Sequence, residues 1–225
     1  MIHRIANKTY NGHGLYRNYE PYNPLNLPPY TIRLLYKDNV IPTFTAGSAT
    51  QVSQYPNIWD LTYINNDWNY LLDSHTDLLE VKGANTENVT VLYGTFRVCS
   101  NLSSVNVFDT RNTVDTLWMF YNCKNLKDCP YFDTSNVTSM EAMFANCSSV
   151  TSIPLYNTNN VKTVSYMFSN CYNVSNGIVD FYNKLSSEAP NLNTHNGTFR
   201  NCGVSSQTGS AELAQIPTTW GGTLV

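Results

Sequence analysis

Charge is scarce in this chain: only 13% of its 225 residues are Asp, Glu, Lys or Arg, and the net charge is −3. No basic run occurs, so a surface that tracks phosphates is not expected and nucleic acid is set aside as a partner. Long apolar runs are lacking as well. The most apolar stretch, Leu117 to Tyr121, is far too short to span a bilayer. The basic start Met1-Ile2-His3-Arg4-Ile5-Ala6-Asn7-Lys8 has no apolar segment behind it, so export by the usual secretory signal is not expected. His3, His13, His75 and His195 are scattered and no Cys-x-x-Cys pair exists, which leaves no metal site to expect. Glycine-rich phosphate loops, Gly-x-Ser-x-Gly elbows and His-Glu-x-x-His are absent too. From these absences the reading is a non-enzymatic chain with no cofactor and no catalytic residue.

What is present is apolar, aromatic and uncharged. Hydrophobic residues make up 42%, there are 16 Tyr, and the polar remainder is mostly Asn, Ser and Thr. That composition is too apolar for a disordered chain. It suits a surface that works by hydrogen bonding and stacking.

The organising feature is a 24-residue period. Cys99, Cys123, Cys147 and Cys171 keep that step, as do Phe96, Phe120, Phe144 and Phe168 three positions ahead of them. Leu102, Leu126, Val150 and Val174 follow, then Val105, Cys129 and Ile153, then Val107, Tyr131 and Leu155. Backward, Leu72, His75, Leu78, Val81 and Gly83 fall on the same phase. Forward, Phe199 and Cys202 restate it, Cys202 arriving 31 residues after Cys171 because seven have been inserted. A fixed period of this size points to a repeat architecture. The fold expected is an α/β-type repeat solenoid of five to six turns, with a short parallel strand in each turn, a small β cap before it and short helices after it.

The ten residues Phe96, Cys99, Phe120, Cys123, Phe144, Cys147, Phe168, Cys171, Phe199 and Cys202 are the expected repeat core. A thiol recurring once per turn packs as a small hydrophobe. One vertical disulfide using Cys129 is the alternative.

Along the chain, residues 1–29 hold five Asn, four Tyr and four Pro and read as an extended arm. That arm is either a poorly ordered terminus or a segment that orders against a partner. Residues 30–64 read as a β cap with a strand over Thr31 to Tyr36. Residues 65–204 are the repeat segment, with a helix expected over 178–187, and residues 205–225 are a C-terminal cap with a short helix over 211–215.

Strand alternation in each turn points Val105 and Val107 inward and leaves Asn106 and Phe108 outward. Phe108, Phe132 and Tyr156 then form an exposed aromatic row, the candidate binding site, suited to sugar faces or a partner protein; packing under a loop or neighbour is the competing reading. The column Asp109, Asp133, Asn157 offers carboxylates, but its Asp-Thr-Ser/Arg-Asn context reads as turn capping. Trp118 and Tyr166 share a repeat position with Gly94 and Ala142, an alternation that reads as local packing.

The strings Phe132-Asp133-Thr134-Ser135-Asn136-Val137-Thr138-Ser139-Met140 and Met143-Phe144-Ala145-Asn146-Cys147-Ser148-Ser149-Val150-Thr151-Ser152-Ile153-Pro154-Leu155 resemble BspA-type leucine-rich repeats, also called the mycoplasma-lipoprotein type. The likeness covers residues 65–204. The ending Ala211-Glu212-Leu213-Ala214-Gln215-Ile216-Pro217 with Trp220-Gly221-Gly222 is similar to caps of such proteins in gut Bacteroidales bacteria and their phages. So are the opening segments Pro29 to Asp38 and Asn57 to Thr62.

The resemblance implies extracellular recognition and no enzymatic activity. The expected function is a phage virion structural and recognition protein: a head or tail fibre, spike or decoration component. It would be present in multiple copies, attached to other virion proteins through the N-terminal arm, with its repeat surface facing a host glycan or protein. A bacterial cell-surface adhesin is the alternative, and a tail-associated glycan depolymerase the third reading.

Overall fold

The computed structural model describes residues 25–106 and 108–223. The expected arm lies almost wholly outside the described residues, and so does the inward placement of Val107.

Its first strand, β1 (Thr31–Tyr36), follows from a run of β-branched and apolar residues whose Ile32, Leu34 and Tyr36 are buried. β2 (Ser48–Gln51), β3 (Ile58–Thr62), β4 (Leu78–Ala84) and β5 (Ser104–Val105) complete one sheet in the order β2-β3-β1-β4-β5. β1 lies antiparallel to both β3 and β4, and only β4 with β5 runs parallel. Arg33 faces Asp60 across the β1–β3 pair and closes a two-bonded ion pair at 2.6 and 2.7 Å. Two short helices follow, α1 (Ile178–Glu188) and α2 (Gln207–Leu213), and then a 3₁₀ turn at Thr218–Trp220.

This overturns the expected α/β-type repeat solenoid. The regular elements form an open, mixed five-stranded sheet with two short helices, and the strand expected in each turn is missing. Only the two residues of β5 pair as a parallel strand. The corresponding segments at 129–132 and 153–156 form none, because Pro130 and Pro154 remove the N–H groups a ladder needs. Apart from β5, the sheet is assembled by antiparallel pairing of segments upstream of the periodic cysteines.

After β4 the 24-residue period is expressed mainly in turns joined by single parallel bridges, Asp67 to Val91, Asp115, Ser139, Thr163 and Thr194 in succession. The bonding between turns is mostly local to named columns. The N–H of Phe96, Phe120, Phe144 and Phe168 donates to a carbonyl one turn on, and that of Phe199 to the carbonyl of Trp220 at 2.8 Å. The thiols of Cys123, Cys147 and Cys171 each donate at 3.1 Å to the carbonyl of the Phe in the preceding turn. All six cysteines are free and buried, so the disulfide alternative is not realised. Burial pushes their thiols well up from the ordinary range.

Threonines form a further ladder. Thr86, Thr110 and Thr134 donate to the carbonyls of Asp109, Asp133 and Asn157. The hydroxyl of Thr158, next in that series, is buried without a partner, since the inserted residues place α1 where the next turn would be. Asparagine amides do the same work at the surface, Asn136, Asn160 and Asn191 each reaching a carbonyl of the neighbouring turn. These ladders satisfy the backbone where no regular sheet exists.

Two left-handed residues recur in each turn, four apart: 70 and 74, 94 and 98, 118 and 122, 142 and 146, 166 and 170, 197 and 201. Asn122, Asn146, Asn170 and Asn201 suit that conformation, whereas Val98 at φ 61° does not, because its branched side chain crowds the backbone. Val98→Asn is expected to stabilise the protein by about 1 kcal/mol, the usual order of such strain. A urea denaturation series would show it as a raised midpoint, and a lowered one would refute the strain argument.

The sheet meets the first turn at His75. The Tyr36 hydroxyl lies 2.5 Å from His75 Nδ1, and the imidazole stacks on Phe44 with centroids 5.5 Å apart. Burial lowers the imidazole pKa, with Asp73 opposing. The unfolded chain therefore binds the proton more tightly than the folded one. Stability is complete above the unfolded value of about 6.5 and falls as pH drops below it toward the lower folded value. Melting temperatures recorded from pH 7.5 to 5 should decline over that interval, and His75→Phe should flatten the decline.

Candidate functional site

The row proposed from alternation is not exposed. Phe108, Phe132 and Tyr156 are 0%, 2% and 0% accessible. None of the three lies in a strand, so the alternation that assigns them an outward position does not apply. The rings turn in beneath the phenylalanine column instead. Phe132 stacks on Phe120 at 6.1 Å, Tyr156 on Phe144 at 6.1 Å, and Phe108 leans on Phe132 at 5.0 Å. The Tyr156 hydroxyl donates to the Pro130 carbonyl at 2.7 Å. These three residues are packing.

Beside them lie Phe96, Cys99, Phe120, Cys123, Phe144, Cys147, Phe168, Cys171, Phe199 and Cys202, all fully buried. Consecutive rings of the phenylalanine column stack at 5.2, 5.4, 5.6 and 6.3 Å with planes 4–7° apart. The column Asp109, Asp133, Asn157 caps turns: each side chain accepts the backbone N–H two residues on, at 3.0, 2.9 and 3.0 Å.

A different face carries the half-exposed aromatics. Tyr70 and Tyr93 lie 4.8 Å apart with their hydroxyls joined at 2.8 Å. Trp118 follows at 5.7 Å from Tyr93, and Tyr121 at 6.2 Å from Trp118. Arg97 sits 5.4 Å over the Tyr70 ring while donating to Asp73 at 2.9 Å. That arrangement fixes the guanidinium by a cation–π contact and a charge-assisted bond together. Asp115 lies close to Tyr93. Burial raises the Asp115 pKa and the nearby Asp67 charge adds to it, while the Leu117 N–H bonded at 2.9 Å opposes both.

The backbone of this face is unusual. Tyr70, Trp118 and Tyr166 adopt φ of 53°, 56° and 59°, the conformation held by Gly94 and Gly197 at the same place in other turns. Each glycine leaves room for a neighbouring ring: a Cβ on Gly94 would lie 2.6 Å from the Tyr70 ring, and one on Gly197 2.9 Å from that of Tyr166. Sequence reasoning took the large–small alternation at 94, 118, 142 and 166 for local packing, which the room that Gly94 and Gly197 leave for the neighbouring rings bears out; it did not single out Tyr70, Tyr93 and Tyr121 beside it. The signal available was that same alternation, together with Tyr93 and Tyr121 at positions flanking it.

One family matches the chain: that described as "Mycoplasma protein of unknown function, DUF285", over residues 66–181. The chain belongs to this family. Its matched segment takes in the whole aromatic strip and stops within α1, so the strip is part of the family's own region. The match agrees loosely with the BspA-type likeness of the repeats. No curated protein and no solved structure matches the chain. Among the described residues, no helix is long and apolar enough to cross a membrane.

Proposed function

We propose that this family member is a non-enzymatic recognition protein carried on a phage particle, as a head or tail fibre, spike or decoration component. The observation that carries the reading is the aromatic strip: half-exposed rings held on a face whose interior is filled with stacked phenylalanines and buried thiols. A surface of that kind makes contact without needing net charge. The likeness of the opening and closing segments to proteins of gut Bacteroidales and their phages supports the virion setting. Copies arrayed on a particle would turn weak single contacts into firm attachment. The use of Asp109 and Asp133 as turn caps speaks against the depolymerase reading.

The second reading is a bacterial surface adhesin, favoured by the lipoprotein-type repeats that the family shares. Mass spectrometry on gradient-purified particles and on washed cell envelopes of the source culture separates the two. The chain at fixed stoichiometry in particles supports the virion reading. Its recovery from envelopes alone would overturn that reading and favour the adhesin.

A further inference from the structure

We propose that the strip Tyr70–Tyr93–Trp118–Tyr121 binds neutral oligosaccharide chains, the sugars stacking on its rings; this rests on the recognition reading above and names its ligand class. Three independent features of the strip converge on that chemistry.

The first is strain. Tyr70 and Trp118 hold bulky side chains in a left-handed backbone that Gly94 and Gly197 occupy without penalty. Packing accounts for Tyr70 and Tyr166, whose rings lie over Gly94 and Gly197, but the turn after Trp118 carries Ala142 and not glycine at that place. Strain retained at a half-exposed aromatic is grounds for proposing a function.

The second is geometry. The rings follow one another at 4.8 and 5.7 Å from turn to turn, with Tyr121 6.2 Å from Trp118 in the same turn, and each is tilted by 46–58° to the next. A ligand that matches them is a chain of flat, rigid units, each with an apolar face and polar edges. Pyranose rings have that character: axial C–H groups carry slight positive charge and favour the electron-rich face of an aromatic ring, while equatorial hydroxyls stay in water. The hydroxyls of Tyr70 and Tyr93, joined at 2.8 Å, are the polar groups these two rings offer to such a ligand.

The third is charge. Asp67, Asp73 and Asp115 border the strip, and the guanidinium over Tyr70, Arg97, is already engaged by Asp73. A stacked nucleic-acid strand also offers flat units, but its phosphates would meet these carboxylates. Sialylated and sulfated glycans are disfavoured for the same reason. Neutral hexose and N-acetylhexosamine chains carry no such charge.

The test is a printed array of neutral hexose and N-acetylhexosamine oligosaccharides, with sialylated and sulfated ones alongside, probed with the purified full chain. The strongest neutral hit is then titrated by calorimetry. Trp118→Gly is the decisive variant, because it removes the ring and relieves the backbone strain together, so the fold is kept. Tyr93→Ala is the second variant, and Tyr55→Ala, an exposed aromatic off the strip, is the control. Binding to neutral glycans should weaken about tenfold or more in each strip variant, the scale of losing one aromatic anchor. The control should bind as the parent does, and melting curves should confirm folding throughout. Absence of any glycan hit, preference for sulfated or sialylated chains, or unchanged binding by folded Trp118→Gly would each overturn the proposal. So would attachment to host envelopes that survives periodate but is lost to protease, which would identify a protein partner. Particle proteomics stands apart: the chain found in particles with no glycan bound would sink this proposal and leave the virion reading standing.

Discussion

Phe144→Ala should cost about 3–5 kcal/mol, the range for emptying a buried aromatic site that cannot collapse. Phe144 is fully buried at the middle of the phenylalanine column, between Phe120 at 5.4 Å and Phe168 at 5.6 Å, with Tyr156 against its flank at 6.1 Å. The neighbouring turns are held apart by backbone bonds, Phe120 N–H to the Met143 carbonyl and Phe144 N–H to that of Met167. Those bonds fix the spacing, so the flanking rings cannot close over the void. The cavity term therefore adds to the lost transfer term. Against a typical total stability of about 5–15 kcal/mol, the variant should be marginal or unfolded at physiological temperature. Equilibrium urea unfolding measures it. A loss under about 1 kcal/mol would mean the column is not close-packed, and a changed slope would mean the chain no longer unfolds as one unit.

Much of this core is legible in the sequence, because a 24-residue step in Phe and Cys survives any local irregularity. The turn caps at Asp109, Asp133 and Asn157 are legible for a related reason: their chemistry is confined to neighbours two residues apart. β1 is visible as a run of strong β formers, and α1 runs from the expected start at Ile178 to Glu188.

The pairing of the strands is not legible. Leu78 and Val81 lie on the repeat phase, which hides that they also belong to a seven-residue strand, β4, lying antiparallel to β1. Alternation then failed at Phe108, Phe132 and Tyr156, since it holds only for extended backbone. At the strip the obstacle is different. Positive φ leaves a trace in sequence when Asn or Gly holds it, as at Asn146, Asn170 and Gly197, but none when Tyr or Trp does.

Gly209→Ala is expected to be nearly as damaging as the loss of Phe144, for the opposite reason. Gly209 lies in α2, where an added Cβ would sit 2.1 Å from the Val174 carbonyl oxygen and 2.8 Å from both Cα and O of Gly203. All three are backbone atoms, so no side chain can swing aside and the helix itself must move outward. Overpacking of this kind costs about 1–3 kcal/mol. The displacement reaches further, because α2 also carries fully buried Leu213 and, through Glu212, the acceptor for the Ile178 N–H at the start of α1. Gly177 at the N-cap of α1 offers no side chain, and the Glu212 carboxylate takes the Ile178 N–H at 2.7 Å instead. Losing such a cap adds about 1 kcal/mol, part of it the attraction between a carboxylate and the positive end of the helix. Glu212→Gln separates the terms, since it weakens the cap while leaving α2 seated, and should cost about 1 kcal/mol alone. Thiol labelling supplies the structural readout. Cys202 is buried in the parent with its pKa raised by that burial, so it should become reactive in Gly209→Ala and stay protected in Glu212→Gln. Parent-like stability and labelling in Gly209→Ala would mean that α2 is not seated against the Val174 carbonyl as described.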